Sequence, residues 1–111
     1  MKRIAIFDIG KTNAKVVLLD AETGSEVAVH RTPNKVLRDA PYPHYDIEAL
    51  WQFFLKSLTD FAKNLGFDAI SITTHGACAA SLHDTGKLAM PVLDYEHEFA
   101  PEIRAAYSLI K

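Results

Sequence analysis

The chain has 111 residues and a formal net charge of -2, and 49% of its residues are hydrophobic. These values predict a soluble globular domain with a core, and they give no electrostatic reason to expect nucleic acid or an anionic membrane as a partner. The single cysteine, Cys78, excludes an internal disulfide, and no apolar run approaches the roughly 20 residues of a bilayer span. The apolar run behind the basic N-terminus ends at Asp8, too early for a signal peptide, so we expect a cytoplasmic protein.

Three strands joined by short turns are predicted at the start of the chain, because each contains an apolar run bounded by turn-forming residues. Connections this short favour an antiparallel meander. Residues 33–45 contain three prolines and no hydrophobic periodicity, so a loop is expected there. The three predicted strands are residues 3–8, 14–20 and 26–32.

The turn between the first two strands carries an unusual set of polar residues. Gly10 allows backbone to approach a ligand closely, and turn amides can form a concavity that binds anions. Lys11 and Lys15 add positive charge, and Asp8 is a hard oxygen ligand suited to Mg²⁺, usually through water. The turn is therefore suited to holding a phosphate group beside a hydrated cation. Taken alone, it fits an ordinary hairpin turn with solvated lysines equally well.

An amphipathic helix is predicted next, with Asp46 as its N-cap and Gly66 just past its C-terminal end. Its apolar residues recur with the i, i+3, i+4, i+7 spacing of one buried stripe. Aromatic residues at this spacing indicate core packing rather than a ligand site. The stripe consists of Ile47, Leu50, Trp51, Phe54, Leu58, Phe61, Ala62 and Leu65.

A fourth strand, residues 68–74, is predicted to end at His75 and Gly76. A helix between two strands implies a crossover, so this strand can lie beside the first strand and parallel to it. The carboxyl ends of both strands then open at one edge, where ligands bind in α/β sheets. Asp8 and His75 are therefore predicted to lie in a common cleft.

A further hairpin of residues 78–83 and 88–93 follows, and a C-terminal helix begins at Pro101.

Four other signals, each considered alone, are better explained by structure than by chemistry. The Asp84-Thr85-Gly86 tripeptide occurs in aspartic proteases, but the second carboxylate which that chemistry needs has no counterpart here, so a turn is expected. The five histidines lack metal-ligand spacing. Cys78 lies among alanines, which indicates small-residue packing. Considered alone, His75 fits a histidine that bonds backbone at the end of a strand.

The segment Phe7-Asp8-Ile9-Gly10-Lys11-Thr12-Asn13-Ala14-Lys15 resembles the first phosphate-binding motif of the sugar kinase, Hsp70 and actin superfamily. Residues 45–51, 70–76, 82–87 and 91–93 are similar to segments of the FGGY carbohydrate kinases and occur in the same order. The resemblance implies an α/β fold of the ribonuclease H-like (actin-like ATPase) type. This fold has a mixed sheet of three antiparallel strands, a crossover helix and a parallel fourth strand, here with a further hairpin and a C-terminal helix.

The resemblance also implies roles for individual residues. Asp8 would lie near the Mg²⁺–phosphate group and the acceptor hydroxyl, holding the metal through water. His75 and Gly76 match the segment where the family touches its sugar or polyol, and a histidine can hydrogen-bond a hydroxyl. The residues implied to face the ATP phosphates are Gly10, Lys11, Thr12, Asn13 and Lys15.

Two departures from the family pattern leave the substrate class open. Lys11 stands where many relatives have threonine, which adds charge to the loop. The family often has a tryptophan, an acid and an arginine after the hairpin, and of these only the tryptophan has a candidate replacement, Tyr95. No sugar-contacting role is therefore assigned to Tyr95, Glu96 or His97.

Family members are several times longer than this chain. The resemblance implies that residues 1–111 are a single fragment, the N-terminal part of the first kinase domain. The general base and the second, ATP-binding domain would lie outside it. The complete protein would transfer the γ-phosphoryl group of MgATP to a sugar or polyol hydroxyl. The isolated chain is expected to be inactive, because half a cleft cannot orient ATP against an alcohol.

Two other functions use the same fold. A non-enzymatic nucleotide switch of the actin or Hsp70 kind stays open as an alternative. A ribonuclease H-like nuclease is disfavoured, because such enzymes need several carboxylates on two metals and the fourth strand ends in His75. The expected partners are ATP, a sugar or polyol and the remainder of the kinase chain, without nucleic acid or membrane. A homo-oligomer is left open.

Overall fold

The computed structural model describes residues 2–76, 78–94 and 96–110. Tyr95 therefore lies outside the described residues. Within the described part of the chain, neither helix is long and apolar enough to cross a membrane. The elements in chain order are β1 (Arg3–Ile9), β2 (Asn13–Asp20), β3 (Glu26–Pro33), β4 (Val36–Leu37), β5 (His44–Tyr45), α1 (Ile47–Asn64), β6 (Ala69–Thr74) and α2 (Pro101–Ile110).

The main sheet has the strand order β3-β2-β1-β6. β1 pairs with β2, and β2 with β3, in antiparallel orientation, whereas β1 and β6 are parallel. The predicted mixed sheet with its crossover helix is therefore confirmed. Directly paired residues share a face, so the register aligns Asp8 with Lys15, and Lys15 with Arg31, on one side of the sheet.

The opposite face of the sheet packs against α1 to form the core. Successive side chains of a strand point to opposite sides, so the buried apolar residues at every second position of β1 and β2 form this face. The ring of Phe7 stacks on that of Phe54 with a centroid distance of 4.4 Å. The buried residues of this cluster are Ala5, Phe7, Ala14, Val16, Leu18, Leu50, Phe54 and Phe61.

Both predicted ends of α1 are confirmed. The Asp46 side chain accepts a hydrogen bond from the backbone N–H of Ala49 at 3.1 Å, which satisfies one of the free amides of the first turn. Gly66 has a φ of 75°, and its N–H donates to the carbonyl of Phe61 at 2.7 Å. Glycine suits this place because a side chain is strained at positive φ.

The buried face of α1 differs from the predicted stripe. Trp51 is 50% exposed, and Ile47, Ala62 and Leu65 are exposed as well. Apolar spacing defines a broad face of the helix, but the sheet covers only the part centred on Phe54. Ser57, a polar residue, lies fully inside, with its hydroxyl 3.1 Å from Nδ1 of His30 on β3. This pairing explains how a hydroxyl can be buried against the sheet.

The sequence predicts a loop over residues 33–45, and this prediction is wrong for part of the segment. It contains β4 and β5, which pair with each other in antiparallel orientation. Strands of two residues are too short to produce a periodic pattern. The further hairpin turns at residues 84–86, and an isolated bridge between Leu82 and Leu88 joins its arms. α2 begins at Pro101 as predicted.

Candidate functional site

The turn between β1 and β2 is closed by its own backbone. The N–H of Gly10 donates to the carbonyl of Asn13 at 2.8 Å. A Cβ added at residue 10 would lie only 2.8 Å from that same oxygen. Glycine is required here because of this close approach, since any side chain would collide with the carbonyl of Asn13.

Asn34, which follows β3, holds this turn from outside. Its Nδ2 donates to the carbonyl of Gly10, and its backbone N–H donates to the carbonyl of Thr12, both at 2.8 Å. The residue is only 6% exposed. No sequence pattern marks Asn34, because its contact with the turn depends on the β2–β3 register, which places Pro33 opposite Asn13.

Replacing Asn34 by alanine is expected to lower the free energy of unfolding by about 1–3 kcal/mol, because the carbonyl of Gly10 loses a buried donor. Urea unfolding measures this loss. The matched control is Asn64→Ala, since Nδ2 of Asn64 also donates to a backbone carbonyl, that of Asp60, at 2.9 Å but on an exposed part of α1. The control should stay within about 0.5 kcal/mol of wild type. Equal losses in the two variants would contradict a supporting role for Asn34.

A pocket of about 380 Å³ opens beside the turn. The ammonium of Lys15 lies 3.9 Å from a carboxylate oxygen of Asp8, so the two opposite charges adjoin at the pocket wall. Arg31, which lies outside every sequence motif, also lines the pocket. The lining residues are Asp8, Gly10, Asn13, Ala14, Lys15 and Arg31.

Two residues predicted to face phosphates lie outside this lining. The side chain of Lys11 forms an ion pair with Glu96, which belongs to the segment after the further hairpin. The backbone N–H of Glu96 in turn donates to a carboxylate oxygen of Asp94 at 3.2 Å. Thr12 contributes its carbonyl to the bond from Asn34. Lys11 therefore connects the turn to a segment more than eighty residues away in the chain.

His75 lies at the same edge of the sheet as the turn. Its backbone N–H donates to the carbonyl of Ile9, the residue before Gly10, at 3.0 Å. The two segments that the sequence predicts to share a cleft are thus brought together, because β1 and β6 run parallel and end side by side. A Cβ added at Gly76 would meet no atom within 4 Å among the described residues, so space alone does not demand glycine there.

The hydrogen bonds around the His75 ring indicate its tautomer. Nδ1 lies 3.4 Å from the carbonyl of Ile9, which can only accept, so the proton is assigned to Nδ1. Nε2 is then an acceptor, and it lies 3.4 Å from both the hydroxyl of Tyr45 and the thiol of Cys78. The ring therefore presents an acceptor nitrogen to groups that carry hydroxyl or thiol protons.

Two smaller expectations have different outcomes. Gly86 has a φ of 88°, and its N–H bonds to the carbonyl of His83 at 2.9 Å, so residues 84–86 form the expected turn. Cys78 is exposed, and the expectation that it packs among small residues is wrong. The sequence shows the alanines around it but not where the segment after Gly76 runs.

The carboxylate of Asp8 fits a Mg²⁺ ion that keeps most of its water. Magnesium in phosphate sites uses one or two carboxylates together with water and the phosphates themselves. Asp8 is the acidic residue in the pocket lining, beside the turn amides. Among the described residues, no three histidine, cysteine or acidic side chains cluster closely enough to hold a metal by themselves.

No protein-family model and no curated protein matches this chain. Among solved structures, it is 30% identical to a carbohydrate kinase from Novosphingobium aromaticivorans, with a TM-score of 0.84 over 95% of this chain and 22% of that one. Glycerol kinase of Plasmodium falciparum, solved with ADP, is 16% identical, with a TM-score of 0.77 over 100% of this chain and 24% of that one. Xylulose kinase of Rhodospirillum rubrum is 19% identical, with a TM-score of 0.70 over 99% of this chain and 24% of that one.

The chain thus spans about a quarter or less of the kinases that it matches. The similarity at 30% identity covers 22% of that carbohydrate kinase, and the other two similarities show the fold alone. All three place the strands, the crossover helix and the turn of this chain in the fold of sugar kinases. The chain therefore has the actin-like ATPase fold of the carbohydrate kinases, and the resemblance to them that its sequence predicts is confirmed.

Proposed function

We propose that this chain is the N-terminal part of the first domain of a cytoplasmic FGGY-type carbohydrate kinase. The complete protein transfers the γ-phosphoryl group of MgATP to a hydroxyl of a sugar or polyol. The observation that supports this proposal is the 3.0 Å hydrogen bond from the backbone N–H of His75 to the carbonyl of Ile9, which joins the end of β6 to the residue before the phosphate-type turn. The 30% identity to a carbohydrate kinase supports it.

On the nucleotide side, the residues of the turn bind and position the phosphates. Gly10 and Asn13 lie at the pocket wall, and Lys15 contributes positive charge. Asp8 holds Mg²⁺ through water, and the bound ion supplies neutralisation of the charge that develops on the transferred phosphoryl group. Phosphoryl transfer relies on such positioning and charge stabilisation more than on covalent chemistry by the protein.

On the acceptor side, His75 orients the alcohol. With its proton on Nδ1, the ring has one lone pair on Nε2, and a hydroxyl of the sugar or polyol that bonds there, with Gly76 beside it, replaces the hydroxyl of Tyr45 as the donor. The Tyr45 hydroxyl lies against the same nitrogen, so a substrate hydroxyl bound there also meets Tyr45. The general base that takes the proton of the reacting hydroxyl, and the site for the adenine, belong to the rest of the kinase.

Assays with MgATP and a panel of sugars and polyols test this function. We expect the complete protein to form ADP at a rate that depends on one or more of these alcohols, and to yield a phosphorylated product by mass spectrometry. Residues 1–111 alone should give no turnover, because the remaining wall of the cleft is needed to orient the reactants. ATP hydrolysis that no alcohol stimulates would instead support the nucleotide switch and contradict the kinase.

A further inference from the structure

Three cationic side chains surround the turn, and they differ in their partners. Lys11 is paired with Glu96, and the ammonium of Lys15 lies 3.9 Å from Asp8. Arg31 lines the same pocket as Lys15 but has no ion pair or side-chain hydrogen bond within residues 2–76, 78–94 and 96–110. The guanidinium is therefore the cation at this pocket without a carboxylate partner in the described chain.

The sheet holds Arg31 in this position. Arg31 on β3 is directly opposite Lys15 on β2, and Lys15 is directly opposite Asp8 on β1. The preceding residue, His30, is directed to the other face, where its ring lies 4.7 Å from that of Phe61. Because successive side chains of a strand alternate, anchoring His30 on α1 directs Arg31 to the pocket face.

This arrangement has an electrostatic cost that a ligand would remove. Like charges directly opposite each other on neighbouring strands are destabilising. In the row formed by Asp8, Lys15 and Arg31, one negative charge faces two positive charges, which leaves the pocket wall with an excess of one positive charge. An anion in the pocket would offset the repulsion between Lys15 and Arg31, and the pocket of about 380 Å³ is large enough for a phosphate group.

We propose that Arg31 is a phosphate-binding residue, with its guanidinium donating to the phosphate oxygens of the nucleotide from the side opposite Asp8. This inference rests on the proposed function. A guanidinium presents a planar set of N–H donors that matches two oxygens of one phosphate, whereas an ammonium acts as a point charge. Arg31 thus adds geometry to the charge that Lys15 supplies. It lies outside the motif of residues 7–15 and reaches the site only through the pairing of β2 and β3.

Calorimetric titration of the complete protein with MgADP and MgATP tests the assignment. We expect Arg31→Gln to weaken binding of both nucleotides by about tenfold, since it removes hydrogen bonds to a charged group. Arg31→Lys, which keeps the charge but not the planar donors, should recover part of the affinity. The dependence of the dissociation constant on salt should become shallower in Arg31→Gln, because one charge contact is lost. The KM for the alcohol should not change.

The matched control is Arg38→Gln, which removes the same charge from an exposed residue after β4 and should leave nucleotide affinity unchanged. Lys15→Gln serves as a second reference, because Lys15 belongs to the motif itself. Unchanged affinity in Arg31→Gln together with weaker binding in Lys15→Gln would overturn the role of Arg31 and leave the kinase proposal standing. An equal loss in Arg38→Gln would also overturn it. Absence of nucleotide binding by the wild-type protein would overturn both proposals.

Discussion

Asp8→Asn is expected to reduce the turnover of the complete kinase by about 10²–10³-fold while the protein remains folded. The amide has nearly the same size as the carboxylate but lacks the negative charge that holds a hydrated Mg²⁺ beside the phosphates. The Asp8 side chain is 42% exposed at the pocket wall, so the fold does not depend on burying it. Steady-state assays with MgATP measure the loss, and a thermal melt checks the fold.

Asp39→Asn is the control for this prediction, because it removes the same charge from an exposed residue of the segment between β4 and β5. Turnover of the control should stay close to that of wild type. Near-normal turnover of Asp8→Asn with a normal melt would contradict the role of Asp8. Loss of the melting transition in Asp8→Asn would show instead that the carboxylate supports the fold, and would contradict the prediction in a different way.

Phe54→Ala is expected to lower the free energy of unfolding by about 3–5 kcal/mol, the range for truncation of a buried aromatic side chain. Phe54 is 5% exposed, and its ring stacks on Phe7 at the centre of the contact between α1 and the sheet. Truncation leaves a cavity that the close-packed core fills only in part. A loss of this size is a large share of the stability of a small domain.

Trp51→Ala provides the comparison, since Trp51 lies on the same helix, one turn before Phe54, and is 50% exposed. This substitution should lower the free energy of unfolding by less than about 1.5 kcal/mol, because it removes little buried apolar surface. Urea unfolding of both variants gives the two values. A larger loss of stability in Trp51→Ala than in Phe54→Ala would contradict the central role of Phe54 in the contact between α1 and the sheet.

The local features of the fold could be predicted from the sequence because each depends on neighbouring residues. The alternation that places Phe7 in the core is visible in β1, and the caps of α1 follow from Asp46 and Gly66. The short turns imply antiparallel pairing, and the crossover helix implies a parallel partner for β1. The position of His75 beside the turn follows from that parallel pairing.

The remaining features depend on contacts between distant segments. Hydrophobic spacing predicts a broad apolar face for α1, but only the sheet decides that Ser57 is covered and Trp51 is not. The ion pair between Lys11 and Glu96 joins residues 85 positions apart, so the sequence alone does not reveal it.

The sequence by itself determined which elements form and what chemistry the turn of residues 7–15 carries, since propensity, capping and residue type act locally. Only the tertiary structure decided which other residues complete the site. Asn34 supports the turn and Arg31 lines the pocket because β3 pairs with β2 in one particular register. A shift of one residue would direct Arg31 to the opposite face, and strand register is set by packing across the whole sheet.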